Sequence, residues 1–196
     1  MPNLVLLRHG TSYTNEGRHV DREQQNFLSR AGIAGVLSEA EKFRVEMPTL
    51  HFDHAFVSPY MRALQTGLNF LSTFENKPID LRVENDLRER TYGFTNFVNM
   101  KDLIAQYGQT AVDSWDADIY TKPSRDGETQ LDVYERTMKV YNEKIIPVLQ
   151  AGDTVLVVAH YYVLKAFMSH FLNGGPGSMI HYNPRNCVPY CYDIEV

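Results

Sequence analysis

Three separate segments of the 196-residue chain carry basic side chains of the kind that bind and transfer a phosphoryl group. Arg8 and His9 follow one apolar run, and His160 ends the most apolar run of the chain. Arg62 lies four residues after Ser58 in a third segment. Arginine offers phosphate a planar fork of donors, and histidine acts as nucleophile or acid near neutral pH. These residue types predict an oxyanion site at which an imidazole attacks phosphorus.

The segments before these residues are predicted to be strands of one sheet. Short, continuous apolar runs are typical of strands that are buried on both faces. Five segments have this pattern or a weaker form of it: 4–7, 54–57, 79–83, 154–159 and 188–194. In a parallel sheet, ligands bind beyond the carboxyl ends of the strands, so the basic side chains are expected to meet at one edge.

Helices are predicted between the strands. Ser29 is expected to cap the first, and the Ser58-Pro59 pair is expected to begin the second. Apolar residues at helical spacing predict two more helices, over 101–107 and 128–149. Strands that alternate with helices favour an α/β fold with a mostly parallel sheet covered on both faces.

Four sequence blocks resemble the histidine phosphatase superfamily, and in particular its cofactor-dependent phosphoglycerate mutase-like branch. They are Leu7-Arg8-His9-Gly10-Thr11, Ser58-Pro59-Tyr60-Met61-Arg62-Ala63-Leu64-Gln65-Thr66, Leu87-Arg88-Glu89-Arg90-Thr91-Tyr92-Gly93 and Val158-Ala159-His160. The resemblance runs from Leu4 to about Ile194. It implies a phosphoglycerate mutase-like three-layer sandwich, with a mostly parallel central sheet flanked by helices. The chain is expected to form a single domain over 1–196, with a helical insertion at about 94–128 that caps the substrate.

The resemblance also implies roles for individual residues. His9 matches the residue that becomes phosphorylated, and Glu89 matches the acid that protonates the leaving oxygen and then activates water. The remaining phosphate pocket matches Arg8, Arg62 and His160. Predicted substrate-binding residues are Asn15, Gly10, Thr11, Arg90, Tyr92 and Tyr161, although Tyr161 and its neighbour Tyr162 could instead only pack. The chemistry implies no metal.

The chain departs from the mutase pattern where the far end of a phosphoglycerate would bind. Met100 stands where the mutases have a lysine, with Lys101 only adjacent, and Asp116-Ala117 stands where they have two arginines. Val20-Asp21 replaces a Thr-Gly pair, Thr91 replaces a histidine, and Tyr161 follows the second histidine in place of glycine. The phosphate half of the pocket is kept and the glycerate half is not.

These departures favour a phosphomonoester phosphatase that acts on a small phosphorylated metabolite through a phosphohistidine. One alternative is a cofactor-dependent phosphoglycerate mutase, which would need 2,3-bisphosphoglycerate; the phosphatase needs no cofactor. An alternative of another class is a non-catalytic module that binds a phosphorylated ligand. Loss of His9 or Glu89 would favour that module, and both residues are present.

The composition and the N-terminal sequence indicate which partners and which cellular compartment to expect. A formal charge of −5 gives no global basic field, so nucleic acid is not an expected partner. The N-terminal apolar run is interrupted by Arg8 and resembles neither a signal peptide nor a membrane span. Cys187 and Cys191 are expected to share one face of a strand as reduced thiols. We therefore expect a cytoplasmic protein with no membrane partner, and a homo-oligomer is compatible with the sequence.

Overall fold

A computed structural model describes residues 3–17, 26–74, 78–93, 100–122 and 126–195. A five-stranded sheet lies at its centre, with strand order β3-β2-β4-β1-β5. The strands are β1 (Leu4–Arg8), β2 (His54–Val57), β3 (Asp80–Val83), β4 (Val155–Ala159) and β5 (Pro189–Tyr192). The pairs β1–β4, β2–β4 and β2–β3 are parallel, and only β5 runs antiparallel, against β1. The predicted mostly parallel sheet is confirmed.

Seven α-helices surround the sheet within the described residues. They are α1 (Arg30–Glu46), α2 (Met61–Leu71), α3 (Met100–Tyr107), α4 (Gln109–Ala117), α5 (Gln130–Val140), α6 (Ile146–Gln150) and α7 (Tyr161–Phe171). Helices α1 and α2 pack on the sheet face that carries Val5 and Leu7, and α5 and α7 pack on the face that carries Leu4 and Leu6. Alternate residues of β1 thus enter two cores, because successive side chains of a strand point to opposite faces. The result is the predicted three-layer sandwich.

Two predicted helices differ from the structure. The 128–149 helix is not continuous: α5 leads into a π-helical segment, Tyr141–Ile145, before α6. Pro147 lies just beyond this segment and has no N–H to donate, so the regular hydrogen-bond ladder cannot continue through it. Helix α2 begins at Met61 rather than at Pro59, and its N-cap residue, Tyr60, makes no side-chain cap bond.

The two cysteines do not share a strand face. Cys191 is exposed on β5, whereas Cys187 is buried in the turn before it, with a positive φ of 64°. The turn is held in place because the Cys187 N–H donates to the carbonyl of Arg8 at 3.1 Å. Both thiols are free, and burial raises the pKa of Cys187 to about 11.

The described part of the predicted insertion contains α3 and α4. Their inner faces form a small separate core of Leu103, Val112 and Trp115. Residues 94–99 and 123–125 lie outside the described ranges, so the insertion as a cap over 94–128 stays a prediction. Within the described ranges, no helix is both long and apolar enough to cross a bilayer.

Candidate active site

His9 lies directly after β1, and each nitrogen of its ring has a neighbour that defines its role. Nδ1 lies 2.8 Å from the carbonyl oxygen of Gly10, which can only accept, so Nδ1 carries the proton. Nε2 lies 3.3 Å from Nε of Arg62, which can only donate. Nε2 therefore presents a lone pair, as a nucleophile must.

Two arginines from different elements flank this ring. Arg62 is in the first turn of α2, is buried, and its guanidinium also lies 4.9 Å from the centre of the Tyr60 ring. Arg8 ends β1 and donates from Nη1 to the carbonyl of Pro184 at 2.8 Å. Its buried Nε has no protein partner in the part of the chain that the structure describes. A buried guanidinium N–H without a partner is a donor available to an oxyanion.

His160 is the N-cap residue of α7 and is fully buried beside His9, with ring centres 5.1 Å apart. Its Nε2 lies 2.7 Å from the hydroxyl of Ser58, which also accepts the Tyr60 N–H at 3.4 Å. The serine hydroxyl has one proton and two lone pairs, so it can hold Nε2 in either tautomer of the neutral His160 ring. Nδ1 of His160 is buried and has no partner among the described residues.

Burial and neighbouring charge keep both rings neutral. Burial, followed by the positive charges of Arg62 and Arg8, holds the pKa of His9 well below the ordinary value of 6.5. Burial, followed by the charge of Arg62, likewise holds the pKa of His160 well below its ordinary value. Burial is the larger cause of both lowered pKa values.

Glu89 is fixed on the cavity wall by three backbone N–H groups. Its Oε2 accepts from Tyr161 at 2.9 Å, and its Oε1 accepts from Tyr162 at 3.2 Å and from Arg90 at 2.9 Å. The first two donors are the first residues of α7, where backbone N–H groups have no partner within the helix. The carboxylate thus lies at the positive end of a helix that starts beside His160.

Arg90, which the sequence predicts to bind substrate, is bonded to backbone carbonyls in the structure. Its buried guanidinium donates to the carbonyls of Trp115, Thr121 and Glu128 at 2.8–3.1 Å. Arg90 does not line the cavity. Its donors hold the chain around α4 to the segment that carries Glu89.

A cavity of about 560 Å³ opens above His9 and contains most of the predicted site. The predicted residues on its wall are Arg8, His9, Asn15, Arg62, Glu89, Tyr92 and Tyr161. The amide oxygen of Asn15 accepts from the Ser12 N–H and hydroxyl, which leaves its amide nitrogen for a ligand. His160 lies beneath the cavity, in ring contact with His9.

Gly10 and Thr11 are not on the cavity wall. The Gly10 N–H donates to the hydroxyl of Thr66 at 3.0 Å, and the Thr11 carbonyl accepts from Ser29 at 2.9 Å. Both residues hold the loop against α1 and α2 instead of contacting the cavity.

Several cavity and support residues were not assigned by the sequence. Thr14, Asn26 and Lys101 line the cavity, and Ser58 orients His160. Asn186 donates from Nδ2 to the carbonyl of His9 at 2.5 Å. Asn186 lies far along the chain, so no local pattern could place it; only Lys101 had a signal, its position next to Met100.

Three of the differences from the mutase sequence pattern fall on side chains that the structure does not describe. These are the Val20-Asp21 pair, which lies in the gap at 18–25, and the side chains of Met100 and Asp116. Within the described ranges, no group of three or more histidine, cysteine, aspartate or glutamate side chains is arranged to hold a metal ion. The ligand that fits the described groups is an oxyanion.

The comparisons with known proteins agree with this geometry. The model of the histidine phosphatase superfamily (branch 1) matches residues 4–195. A 2,3-bisphosphoglycerate-dependent phosphoglycerate mutase from Cytophaga hutchinsonii is 31% identical over 195 residues, covering 100% of this chain and 89% of the relative. The solved alpha-ribazole phosphatase from Shigella flexneri has a TM-score of 0.78 at 20% identity, over 98% of this chain and 90% of that one. A mycobacterial glucosyl-3-phosphoglycerate phosphatase has a TM-score of 0.73 at 21% identity, over 96% and 91%.

The sheet and the pocket at its edge define an α/β enzyme whose basic side chains surround a buried imidazole. Members of the matching family are phosphatases and phosphoglycerate mutases that act on small phosphorylated substrates. The chain belongs to the histidine phosphatase superfamily.

Proposed function

We propose that the protein is a phosphomonoester phosphatase that works through a phosphohistidine on His9. The observation that carries this proposal is the fixed tautomer of His9, which directs the Nε2 lone pair toward Arg62 at the floor of the cavity. A neutral imidazole beside a guanidinium combines a nucleophile with a donor for the phosphoryl oxygens.

The reaction has two steps. In the first, Nε2 of His9 forms a bond to phosphorus as the bond to the ester oxygen breaks, and Glu89 gives its proton to that oxygen. In the second, Glu89 takes a proton from water, the hydroxide forms a bond to phosphorus, and the N–P bond breaks to release inorganic phosphate. Nε of Arg8 donates to the phosphoryl oxygens in both steps, and the His160 ring supports the ring of His9 from beneath the cavity. No metal or organic cofactor is needed in this scheme.

The position of Arg90 supports a phosphatase over a mutase. A mutase holds a doubly phosphorylated intermediate while it reorients, and a second phosphate without partners in a closed site costs free energy. Arg90 uses its donors on three backbone carbonyls, and the segment of α4, Gln109–Ala117, contains no lysine or arginine.

A mutase remains the second candidate because of two observations. Lys101 lines the cavity and supplies a cation on the insertion side, next to the position where the mutases have a lysine. The 31% identical relative is named as a mutase. In that case the enzyme would need 2,3-bisphosphoglycerate to phosphorylate His9 first.

Two assays on one preparation distinguish a phosphatase from a mutase. We expect phosphate release from a phosphomonoester and little conversion of 3- to 2-phosphoglycerate, even with added 2,3-bisphosphoglycerate. Mutase turnover of roughly 10 s⁻¹ or more, near the median for enzymes, with negligible hydrolysis would overturn the phosphatase.

The nucleophile is tested with His9→Ala. This variant should lose turnover and leave no acid-labile phosphoenzyme after a rapid quench, whereas the wild type accumulates one. Wild-type turnover in His9→Ala would overturn the mechanism. Phosphate binding by the wild type without any turnover would instead favour a binding module.

We propose the cytoplasm as the location, supported by two cysteines that are both free thiols.

A further inference from the structure

Glu128 is a partly buried carboxylate that has no part in the reaction steps above and does not line the cavity. It precedes Thr129, the residue that caps α5, and its side chain is only 14% exposed. A carboxylate taken out of water needs donors that replace its lost hydration. The positions of those donors show what Glu128 holds together.

Four donors from the described residues bind the carboxylate of Glu128, and two of them lie on either side of Glu89. Oε1 accepts from Nη2 of Arg88 at 2.9 Å, and Oε2 accepts from the N–H of Thr91 at 3.0 Å. Arg136 of α5 supplies the other two, from Nε at 2.9 Å and from Nη2 at 3.1 Å. The carboxylate therefore ties the chain on both sides of Glu89 to one helix.

The backbone of Glu128 makes two more contacts with the same segment. Its N–H donates to the carbonyl of Thr91 at 2.9 Å, and its carbonyl accepts from Nε of Arg90 at 2.8 Å. Arg136 extends the contact, because its Nη1 donates to the carbonyl of Asp86 at 2.6 Å. The chain that carries the acid is thus held from Asp86 to Thr91 by one ion pair and the backbone beside it.

These contacts matter for catalysis because Glu89 has to satisfy two conditions at once. Its carboxylate accepts from the N–H groups of Tyr161 and Tyr162 at the start of α7, and it must also reach the ester oxygen above His9. The helix fixes one end of the side chain, so the reach of the other end depends on where the backbone of Glu89 lies. A misplacement of about 1 Å can cost a factor of about 10² in rate.

We propose that Glu128 is a positioning residue for the general acid: paired with Arg136, it holds the backbone around Glu89 so that the Glu89 carboxylate reaches the leaving oxygen. This inference rests on the proposed function, because it assigns a residue that acts through the acid of that reaction. Glu128 acts from outside the cavity. Its loss should therefore slow mainly those substrates whose leaving group needs a proton.

The test compares two esters that share a phenyl ring and differ in the leaving group, phenyl phosphate and p-nitrophenyl phosphate. Phenoxide is basic and leaves with a proton from the general acid, whereas p-nitrophenolate leaves without one. We expect Glu128→Gln to lower kcat/KM for phenyl phosphate by roughly 10- to 100-fold, because glutamine keeps the size of the side chain but loses the charge and one acceptor. Hydrolysis of p-nitrophenyl phosphate should fall far less.

A double-mutant cycle with Glu89→Gln measures whether Glu128 acts through the acid. In the Glu89→Gln background, Glu128→Gln should cause little further loss on phenyl phosphate, because the group that Glu128 positions is already gone. Full additivity of the two losses would overturn the inference, and so would equal losses of Glu128→Gln on the two esters. Failure of the wild type to hydrolyse either ester would instead contradict the proposed function itself.

A second variant covers the case in which Glu128→Gln does not fold, since breaking a buried ion pair can be strongly destabilising. Arg88→Met removes one of the four donors at a partly exposed position. It should lower kcat/KM for phenyl phosphate by roughly three- to tenfold, the effect of one ordinary hydrogen bond, and again spare p-nitrophenyl phosphate. Equal losses on the two esters in Arg88→Met would overturn the inference.

Glu84→Gln is the matched control for both variants. Glu84 is also a partly buried carboxylate paired with a cation, Lys144, but it precedes the segment that Glu128 and Arg136 hold. Its substitution should change kcat/KM little for either ester. A selective loss on phenyl phosphate in Glu84→Gln would show that the effect does not belong to the contacts of Glu128, and would overturn the inference.

Discussion

The two histidines of the site depend on single hydrogen-bond partners for their chemistry. The Gly10 carbonyl places the proton of His9 on Nδ1, and the Ser58 hydroxyl holds Nε2 of His160. The first contact leaves His9 a nucleophilic nitrogen, and the second fixes the orientation of the His160 ring beside it.

A substitution of Glu89 can separate general acid catalysis from substrate binding. We expect Glu89→Gln to lower kcat/KM for alkyl phosphates by about 10²–10⁴, the usual contribution of general acid–base catalysis. Hydrolysis of p-nitrophenyl phosphate should fall far less, because p-nitrophenolate leaves without a proton. The measurement is kcat/KM for both esters on one preparation.

Glu84→Gln is a suitable control for that experiment, since Glu84 pairs with Lys144 and does not line the cavity. Equal losses of Glu89→Gln on the two esters would remove Glu89 from the role of acid.

At the scale of elements, the contact between α1 and the catalytic loop sets the position of His9. The Ser29 N–H donates to the Thr11 carbonyl at 2.9 Å, and the Ser29 hydroxyl caps the helix by accepting from Gly32. A Cβ on Gly32 would lie 1.9 Å from the Thr11 carbonyl oxygen. The loop therefore rests directly on the helix backbone.

Gly32→Ala should accordingly destabilise the protein and displace the loop. We expect a loss of about 1–3 kcal/mol in the free energy of unfolding, typical of overpacking, together with a lower kcat. Gly35→Ala in the same helix is the control: its Cβ would meet only the Cys187 sulfur, at 3.7 Å. It should stabilise α1 by about 0.5–1 kcal/mol. Urea unfolding measures the change in the free energy of unfolding for both variants. Similar changes in Gly32→Ala and Gly35→Ala would contradict the close contact between Gly32 and Thr11.

At the scale of the whole molecule, the site is buried where segments from the entire chain meet. Arg8 and His9 come from the N-terminal strand, Arg62 follows β2, and His160 follows β4. The fold therefore holds two neutral imidazoles away from water, and its stability depends on their remaining neutral.

This burial predicts a pH dependence of stability. In the unfolded chain the histidines bind protons near pH 6.5, whereas the pKa values of His9 and His160 in the folded protein lie well below 6.5. The unfolded state thus binds more protons below pH 6.5. As the pH is lowered, the free energy of unfolding therefore decreases by up to about 1.4 kcal/mol per pH unit for each histidine.

Denaturant unfolding at pH 7.5, 6.5 and 5.5 measures this effect. His160→Gln should lose less stability between pH 6.5 and 5.5 than the wild type, by up to about 1.4 kcal/mol. His170, whose pKa burial also lowers, is present in both proteins and cancels from the difference. Identical pH dependence in the two proteins would mean that His160 is not buried as a neutral ring.

The sequence by itself determined the five strands of the sheet and the residues grouped around His9, but neither α4 nor the division of the 128–149 segment was predicted. The runs that become β1 and β4 are apolar without interruption because both faces of these strands are buried, so they could be recognised without their partners. Ser29 was recognisable as a cap because its bond to Gly32 is local. His9, Arg62 and His160 were found because each directly follows or begins a regular element.

Only the tertiary structure decided how polar side chains that have several available partners are used. Arg90 and Tyr92 are close neighbours in one motif, yet the first binds backbone carbonyls and the second lines the cavity. Ser58 had the pattern of a helix cap, but its hydroxyl bonds to His160, which is 102 residues away in the chain. Hydrogen bonds act over about 3 Å, so their partners are set by which distant segments the fold brings together, and local sequence carries no record of that distance.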